Sequence, residues 1–223
     1  MGHFFTIALL RFNRKANPKA DYTGCKTHVS SLVEMGVIIA EIILLVCFSI
    51  PFWAKKVNVF PNRPDAIEVR IVAEQFAWNI HYPGKDGKFG KSNPSLVNSQ
   101  SNPIGLDLKD PNAKDDITTV NQLHVPVGRP VIIYLTTKDV IHSFSIPVMR
   151  VKQDVLSGMS IQTWFTPIKT GQWEIACAQL CGIGHYRMKG FITVHTEKDY
   201  EEWLAKQSTA GGSSDSGEDS FWN

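Results

Sequence analysis

A long apolar run near the N-terminus constrains this chain more than any other feature. Residues 36–53, GVIIAEIILLVCFSIPFW, contain a single charged side chain, Glu41. A bilayer core offers the backbone no hydrogen-bond partners, and about 20 apolar residues in a helix are needed to cross it. We therefore predict a transmembrane helix over residues 29–55. A cleaved signal peptide is not expected, because a long polar segment precedes the run and no small-residue cleavage site follows it.

Basic residues are distributed unequally about this helix. Arg11, Arg14, Lys15, Lys19 and Lys26 precede it, and Lys55, Lys56 and Arg63 follow it. By the positive-inside rule, residues 1–28 are expected to be cytoplasmic. The expected location is a bacterial-type inner (plasma) membrane, in preference to a mitochondrial one, with the C-terminal domain on the periplasmic side. The apolar stretch 4–10 is too short to span, so it is either the stub of a first membrane helix or an amphipathic surface segment.

Beyond residue 66 the sequence changes to short alternating or β-branched runs separated by Gly, Pro and Asn. This pattern predicts a mainly β fold, an antiparallel Greek-key sandwich or barrel. The predicted strands are residues 67–76, 118–125, 130–136, 141–146, 160–165, 171–177 and 190–195. We expect a surface insertion at 82–116, a short helix at 199–206, an extracytoplasmic domain over 56–206 and a disordered tail at 207–223.

Four metal-binding side chains follow the strand 171–177. Cys177, Cys181, His185 and Met188 form a C-x3-C-x3-H-x2-M pattern within CAQLCGIGHYRM. Thiolate, imidazole and thioether ligands favour copper over hard cations, and a single-copper electron-transfer site needs only one cysteine. The second cysteine therefore indicates two copper ions bridged by two thiolates. Each ion then requires a histidine, and His142, in an upstream β-branched strand, is the candidate for the second one.

Two other interpretations of the cysteine pair stay open at this point. An extracytoplasmic location permits a disulfide bond. Two cysteines with His142 and His185 would also suit tetrahedral zinc, although Met188 disfavours zinc, which rarely binds a thioether. Nucleic-acid binding is excluded as a function class, because the net charge is only +2 and no basic stripe with interleaved aromatic residues is present.

The loop CAQLCGIGHYRM resembles the binuclear copper loop of cytochrome c oxidase subunit II, and DVIHSFSIP resembles that family's upstream histidine segment. The similarity extends to Val33 and Glu34, to EQFAW, to VKQDVLSG and to TGQWEIAC. It implies a cupredoxin-like β-sandwich behind a membrane helix, with a binuclear copper A centre as its cofactor. The implied metal ligands are His142, Cys177, Gln179, Cys181, His185 and Met188. In that arrangement the cysteines bridge the ions, each histidine caps one ion, the methionine is axial and the glutamine contributes its backbone carbonyl.

The resemblance also implies a function as a subunit of a haem-copper terminal oxidase. Electrons would arrive from cytochrome c, or from another haem c protein held in a supercomplex with the oxidase. They would pass to the haem of subunit I, where oxygen is reduced to water. The expected partners are subunit I, other oxidase subunits and membrane lipid, and no residue of this chain is expected to act on oxygen. Alternatives are a nitrous oxide reductase copper domain, a copper-free quinol oxidase subunit, and a copper delivery or storage protein.

The chain departs from the family pattern in three places. Gln179 replaces a glutamate that usually also reaches magnesium at the subunit I boundary, which leaves magnesium binding open. Phe76 replaces a tryptophan thought to admit electrons, whereas Trp78 is retained, and both are candidates for electron uptake. Acidic side chains such as Glu74 and Asp139 are candidates for steering a basic donor. Finally, only one membrane helix is complete, where many members have two.

Two carboxylates lie in the predicted membrane helix. Glu34, near its inner end, matches the family's glutamate at the mouth of a proton path, and the alternative is an interfacial side chain that reaches water. Glu41 lies deeper and is interpreted as a protonated residue that contacts another subunit.

Overall fold

The computed structural model describes residues 2–13, 15, 18–19 and 27–209. It divides into two compact units, Met1–Lys56 and Val57–Asn223. Of the predicted tail, residues 207–209 continue a helix, and the remainder lies outside the described residues.

The first unit is helical. It contains α1 (Gly2–Phe12) and α2 (Val29–Leu44), and a π-helical turn, Leu45–Ser49, joins α2 to α3 (Ile50–Asn58). Pro51 lacks an amide hydrogen, so the helical ladder must lose a hydrogen bond there, and the wide turn lies directly before it. The continuous segment Val29–Asn58 is 30 residues long, which by length and composition is enough to cross a membrane. The 11 residues of α1 are too few to do so.

The second unit is built from two five-stranded sheets and one helix. The first sheet has the order β3-β2-β1-β5-β8 and the second the order β4-β10-β9-β6-β7. Most neighbouring strands are antiparallel, whereas β1 with β5 and β4 with β10 are parallel. The elements are β1 (Ile67–Glu74), β2 (Ala77–Tyr82), β3 (Ile117–Val120), β4 (Gln122–Pro126), β5 (Val131–Thr137), β6 (His142–Ile146), β7 (Val151–Val155), β8 (Ile161–Phe165), β9 (Gly171–Cys177), β10 (Lys189–His195) and α4 (Glu197–Thr209).

Alternate residues of the strands fill one hydrophobic core. In β1, for example, Val69, Ile71 and Ala73 are fully buried, whereas the residues between them are partly exposed. Burial of such side chains at about 25 cal/mol per Å² of apolar surface is the main stabilising term of a fold of this kind. The same core includes Met188 and Cys181, which extend it to the end of the domain where the metal-ligand motif lies. The prediction of a mainly β fold is confirmed, with two parallel strand pairs where antiparallel pairing was expected.

Several predicted element boundaries need correction. Strands β2 and β7 were not predicted, and the predicted strand 118–125 is two strands, because Asn121 adopts φ of 59° and breaks it. Asparagine tolerates this left-handed conformation better than most residues. The insertion 82–116 is confirmed as a segment of two short 3-10 turns and isolated bridges, with its own small core of Ile104, Leu106 and Ala113.

Candidate metal centre

Three strands of the second sheet bring the predicted ligands together. Strand β6 begins at His142, β9 ends at Cys177, and β10 begins directly after Met188. Strands β6 and β9 pair with Phe144 opposite Cys177, so His142 lies beside the start of the loop 178–188. Because β9 and β10 are also paired, both ends of this loop are anchored in the sheet.

The six predicted ligands are linked to one another by six close approaches. His142 Nδ1 is 3.1 Å from Met188 Sδ and 3.9 Å from Cys177 Sγ. Cys181 Sγ is 3.6 Å from His185 Nδ1 and 3.7 Å from Met188 Sδ. The Cys177 thiol donates to the backbone carbonyl of Gln179 at 3.2 Å. Two nitrogens, three sulfurs and one carbonyl oxygen therefore converge, although the motif spans 47 residues of chain from His142 to Met188.

The cysteine pair is not a disulfide in this structure. The Cys177 and Cys181 sulfurs are 3.8 Å apart, whereas a disulfide bond is about 2.05 Å long. This separation is smaller than twice a metal–thiolate bond of about 2.3 Å, so one ion could contact both sulfurs. The donor atoms of His142, Cys177 and Cys181 all lie within 4.8 Å of one another. The residues present thus fit a soft metal ion, and the position of Met188 among them favours copper over zinc.

Asp139 orients the histidine, a role that sequence reasoning did not identify. Its Oδ1 is 2.9 Å from His142 Nε2, which leaves Nδ1 to face the sulfurs. The backbone amides of Gln75 and Val140 also donate to this carboxylate, at 2.8 and 2.7 Å. Such carboxylate–histidine pairs fix the ring and its tautomer at many metal sites. In the sequence, only the D-x-x-H spacing in DVIH indicates that Asp139 could contact His142.

Before any metal binds, the two thiols differ in acidity. Burial raises the pKa of Cys177, but hydrogen bonds involving His142 and the backbone of Ser143 and Gln179 outweigh it and lower the pKa to about 6. Burial and the adjacent Cys177 raise the pKa of Cys181 to about 11. Cys177 is therefore the more acidic of the two thiols, and a metal ion that binds both sulfurs must displace the protons that they hold.

The candidates for electron uptake and donor steering need correction. Trp78 is fully buried, with its ring 6.1 Å from that of His142, so it cannot contact a donor protein. Glu74 forms an ion pair with Lys138, and Asp139 interacts with His142 Nε2, so both carboxylates are already engaged within the domain. Phe76, which is half-buried, remains a candidate.

Two of the other predicted residues lie outside the loop and strands that form this centre. Glu34 and Glu41 are both in α2, and both side chains are exposed. The side chain of Gln179 is exposed.

Comparisons with known proteins identify similar sequences. The family described as cytochrome C oxidase subunit II, periplasmic domain, matches residues 67–195. An alternative cytochrome c oxidase subunit 2 of Bradyrhizobium diazoefficiens is 35% identical over 210 residues, covering 94% of this chain and 74% of that protein. Cytochrome c oxidase subunit 2 of Cereibacter sphaeroides is 30% identical over 217 residues, covering 90% of this chain and 69% of the relative.

A solved structure is also similar. The crystal structure of the periplasmic domain of subunit II of cytochrome oxidase of Bradyrhizobium japonicum has 28% sequence identity and a TM-score of 0.48, covering 65% of this chain and 95% of that chain. The family match spans both sheets and every residue of the metal-ligand motif. The chain belongs to the cytochrome c oxidase subunit II family, whose members are subunits of an oxidoreductase complex.

Proposed function

We propose that this chain is the copper-bearing electron-transfer subunit of a haem-copper terminal oxidase. It accepts single electrons from a cytochrome c-type donor and passes them to the haem of subunit I. The convergence of two thiols, two imidazoles, a thioether and a carbonyl at the end of a β-sandwich supports this function most directly. A pair of copper ions bound there would supply reversible one-electron chemistry.

The protein holds this centre rigid and dry. His142 is fully buried, Met188 is 2% exposed and Cys181 is 3% exposed, so little water can reach these three ligands. Asp139 fixes the ring of His142, and strands β9 and β10 fix the two ends of the loop. Ligands that cannot reorient rearrange little when the charge of the site changes, which favours fast electron transfer. Cys177, Cys181, His142, His185, Met188 and the backbone carbonyl of Gln179 would hold the copper ions.

The partners and location follow from the family and the membrane helix. We place α2 and α3 in a bacterial-type inner membrane, with residues 1–28 cytoplasmic and the β domain, residues 56–206, on the periplasmic side. Subunit I, the other oxidase subunits and lipid surround it, and a haem c protein, free or within a supercomplex, is the donor. Phe76 lies beside the loop and is the candidate for donor contact. Magnesium beside Gln179 is not part of this proposal.

The test is the copper content and spectrum of the purified full chain. We expect two copper ions per chain and an electron paramagnetic resonance spectrum of one electron shared by both. Cys177→Ser and Cys181→Ser should each abolish the shared spectrum rather than weaken it, because each thiolate is needed by both ions.

Cys47→Ser provides the matched control, since Cys47 is an exposed thiol in the membrane helix, outside the loop. It should leave both copper content and spectrum unchanged. One copper per chain, an intact spectrum in either loop variant, or tight zinc binding without two coppers would each contradict the proposal.

A further inference from the structure

The turn between β1 and β2, formed by Gln75 and Phe76, lies over the loop that contains the cysteines. The side-chain amide of Gln75 donates a hydrogen bond from Nε2 to the backbone carbonyl of Cys181, at 2.7 Å. This contact joins residues 106 positions apart and connects the first sheet to the loop of the second. We call these two residues the latch.

The latch also reaches the histidine side of the centre. The backbone amide of Gln75 donates to Asp139 Oδ2 at 2.8 Å, and Asp139 Oδ1 is 2.9 Å from His142 Nε2. One residue is therefore bonded both to the loop and, through a carboxylate, to the histidine that β6 supplies. The two groups of ligands are held in register by Gln75 as well as by the sheet.

Phe76 closes the loop by close packing against two glycines. A Cβ added at Gly184 would lie 2.4 Å from a ring atom of Phe76, and one at Gly182 would lie 3.3 Å from the ring. Gly182 also has φ of +130°, which side chains other than glycine rarely adopt. A Cβ added at Gly182 would also lie 2.7 Å from Gln75 Nε2. The glycines in CGIGH thus allow the aromatic ring to lie directly on the loop backbone.

We propose that Gln75 is a positioning residue that keeps the loop 178–188 in its ligand-ready form before copper binds. The inference rests on the proposed copper function and adds to it how the site is pre-organised. Within the loop, the turns closed by His185 and Arg187, whose amides donate to Gly182 and Gly184, form a single helical turn that gives little stability of its own. Without the latch, ordering of the loop must be driven by the metal, which lowers the effective affinity.

The experiment measures the reactivity of Cys181 in the reduced, copper-free full chain. Cys181 is 3% exposed, so it reacts only when the loop opens. Gln75→Met preserves the length of the side chain and removes the donor, and Gln75→Ala removes both. We expect iodoacetamide to alkylate Cys181 about tenfold faster in both variants, as expected for loss of one part-buried hydrogen bond. Gln162→Met, at an exposed position of β8, is the matched control, and Cys181 should react at the wild-type rate in this variant.

A second readout separates positioning from a general loss of stability. Gln75→Met should still bind two copper ions, but take them up more slowly and show a shifted redox potential. The urea midpoint of its β domain should fall by no more than the loss of one hydrogen bond predicts. A wild-type rate of Cys181 alkylation in Gln75→Met overturns the proposal, because a side chain of the same length without the hydrogen bond would then keep the loop closed. If neither variant folds, hydrogen exchange of the wild-type copper-free chain decides: unprotected amides at His185 and Arg187 also overturn it.

Failure of the latch and failure of the copper function remain distinguishable. Alkylation and hydrogen exchange are measured without copper, so they report on the latch alone. The wild-type copper spectrum reports on the copper function alone.

Discussion

At the residue scale, substitution of Met188 distinguishes a weak copper ligand from a strong one. The side chain is buried, with its sulfur 3.1 Å from His142 Nδ1 and 3.7 Å from Cys181 Sγ. A thioether at this position is expected to be a weak axial ligand that tunes the redox potential. Met188→Leu should therefore retain both copper ions and raise the potential, as measured by spectroelectrochemistry. Loss of one ion from this variant would show that Met188 is needed for binding and not only for tuning.

Asp139 makes a second prediction at this scale. Asp139→Ala removes the hydrogen-bond acceptor of His142 Nε2. The imidazole ring is then free to rotate, and Nδ1 is no longer held towards the sulfurs. Changes of this kind at other metal sites weaken metal affinity by about 10- to 100-fold. Competition titrations with a copper chelator should show a loss of that size. Asp65→Ala, at an exposed position before β1, is the control, and equal affinities in the two variants would contradict the orienting role.

The identities of the ligands were predictable from local sequence, whereas their supports were not. Cys177, Cys181, His185 and Met188 lie within one loop, so their chemistry is visible in the order of residues. Gln75 acts on Cys181 through a contact between two sheets, and no local pattern marks such a contact. Trp78 illustrates the converse, because an aromatic residue in a family motif was predicted to meet a donor and instead lies in the core.

At the element scale, β1 and β2 show which strands the alternation of apolar and polar residues can reveal. Strand β1 alternates in burial along its length, and so does its sequence. Strand β2 (AWNIHY) is buried at five of six positions, because one face meets the core and the insertion covers the other. His81, for example, lies 2.6 Å from Asp116 of the insertion. Alternation is lost in such a strand, and periodicity cannot detect it.

Helix α4 provides a prediction about pH. Trp203 stacks on His124 at 4.4 Å, and His124 Nδ1 lies 2.8 Å from His195 Nε2. Burial and the adjacent His195 lower the pKa of His124 to about 4. The unfolded chain, with a histidine pKa of about 6.5, binds this proton first, so the stabilising contribution is complete above pH 6.5 and is lost as pH falls towards 4.

His124→Gln should therefore flatten the acid side of the stability profile. Across the full interval the effect of His124 is about 3 kcal/mol, at about 1.4 kcal/mol per pKa unit. Urea midpoints at pH 7.5 and pH 5.0, followed by circular dichroism, should fall less in the variant than in the wild type. Parallel decreases in both proteins would show that His124 does not set this dependence and that carboxylates do.

At the scale of the whole molecule, the membrane helix was predictable because the bilayer imposes length and hydropathy on any segment that crosses it. Predicted residues 29–55 and observed residues Val29–Asn58 differ by three residues at one end. The π-helical turn before Pro51 was not predicted, since a proline indicates an irregularity and does not specify its form. The proposed electron donor and the proposed contact with subunit I depend on surfaces of other chains, which the sequence of this chain does not contain.

Glu34 tests whether the anchor also conducts protons. Glu34 and Glu41 lie seven residues apart in α2, so they project from about the same face and are separated by roughly 10 Å along the helix axis. Proton uptake needs an ionisable group where water meets the inner end of a path, and positive-inside orientation places Glu34 there. Glu34→Gln should lower steady-state oxygen turnover of the purified complex and leave the copper spectrum and donor affinity unchanged. Glu41→Gln is the matched control, and because Glu41 lies deeper, it should reduce assembly of the complex before it reduces turnover. Full turnover in a copper-loaded Glu34→Gln complex would remove this residue from the proton path and leave it as an interfacial side chain that reaches water.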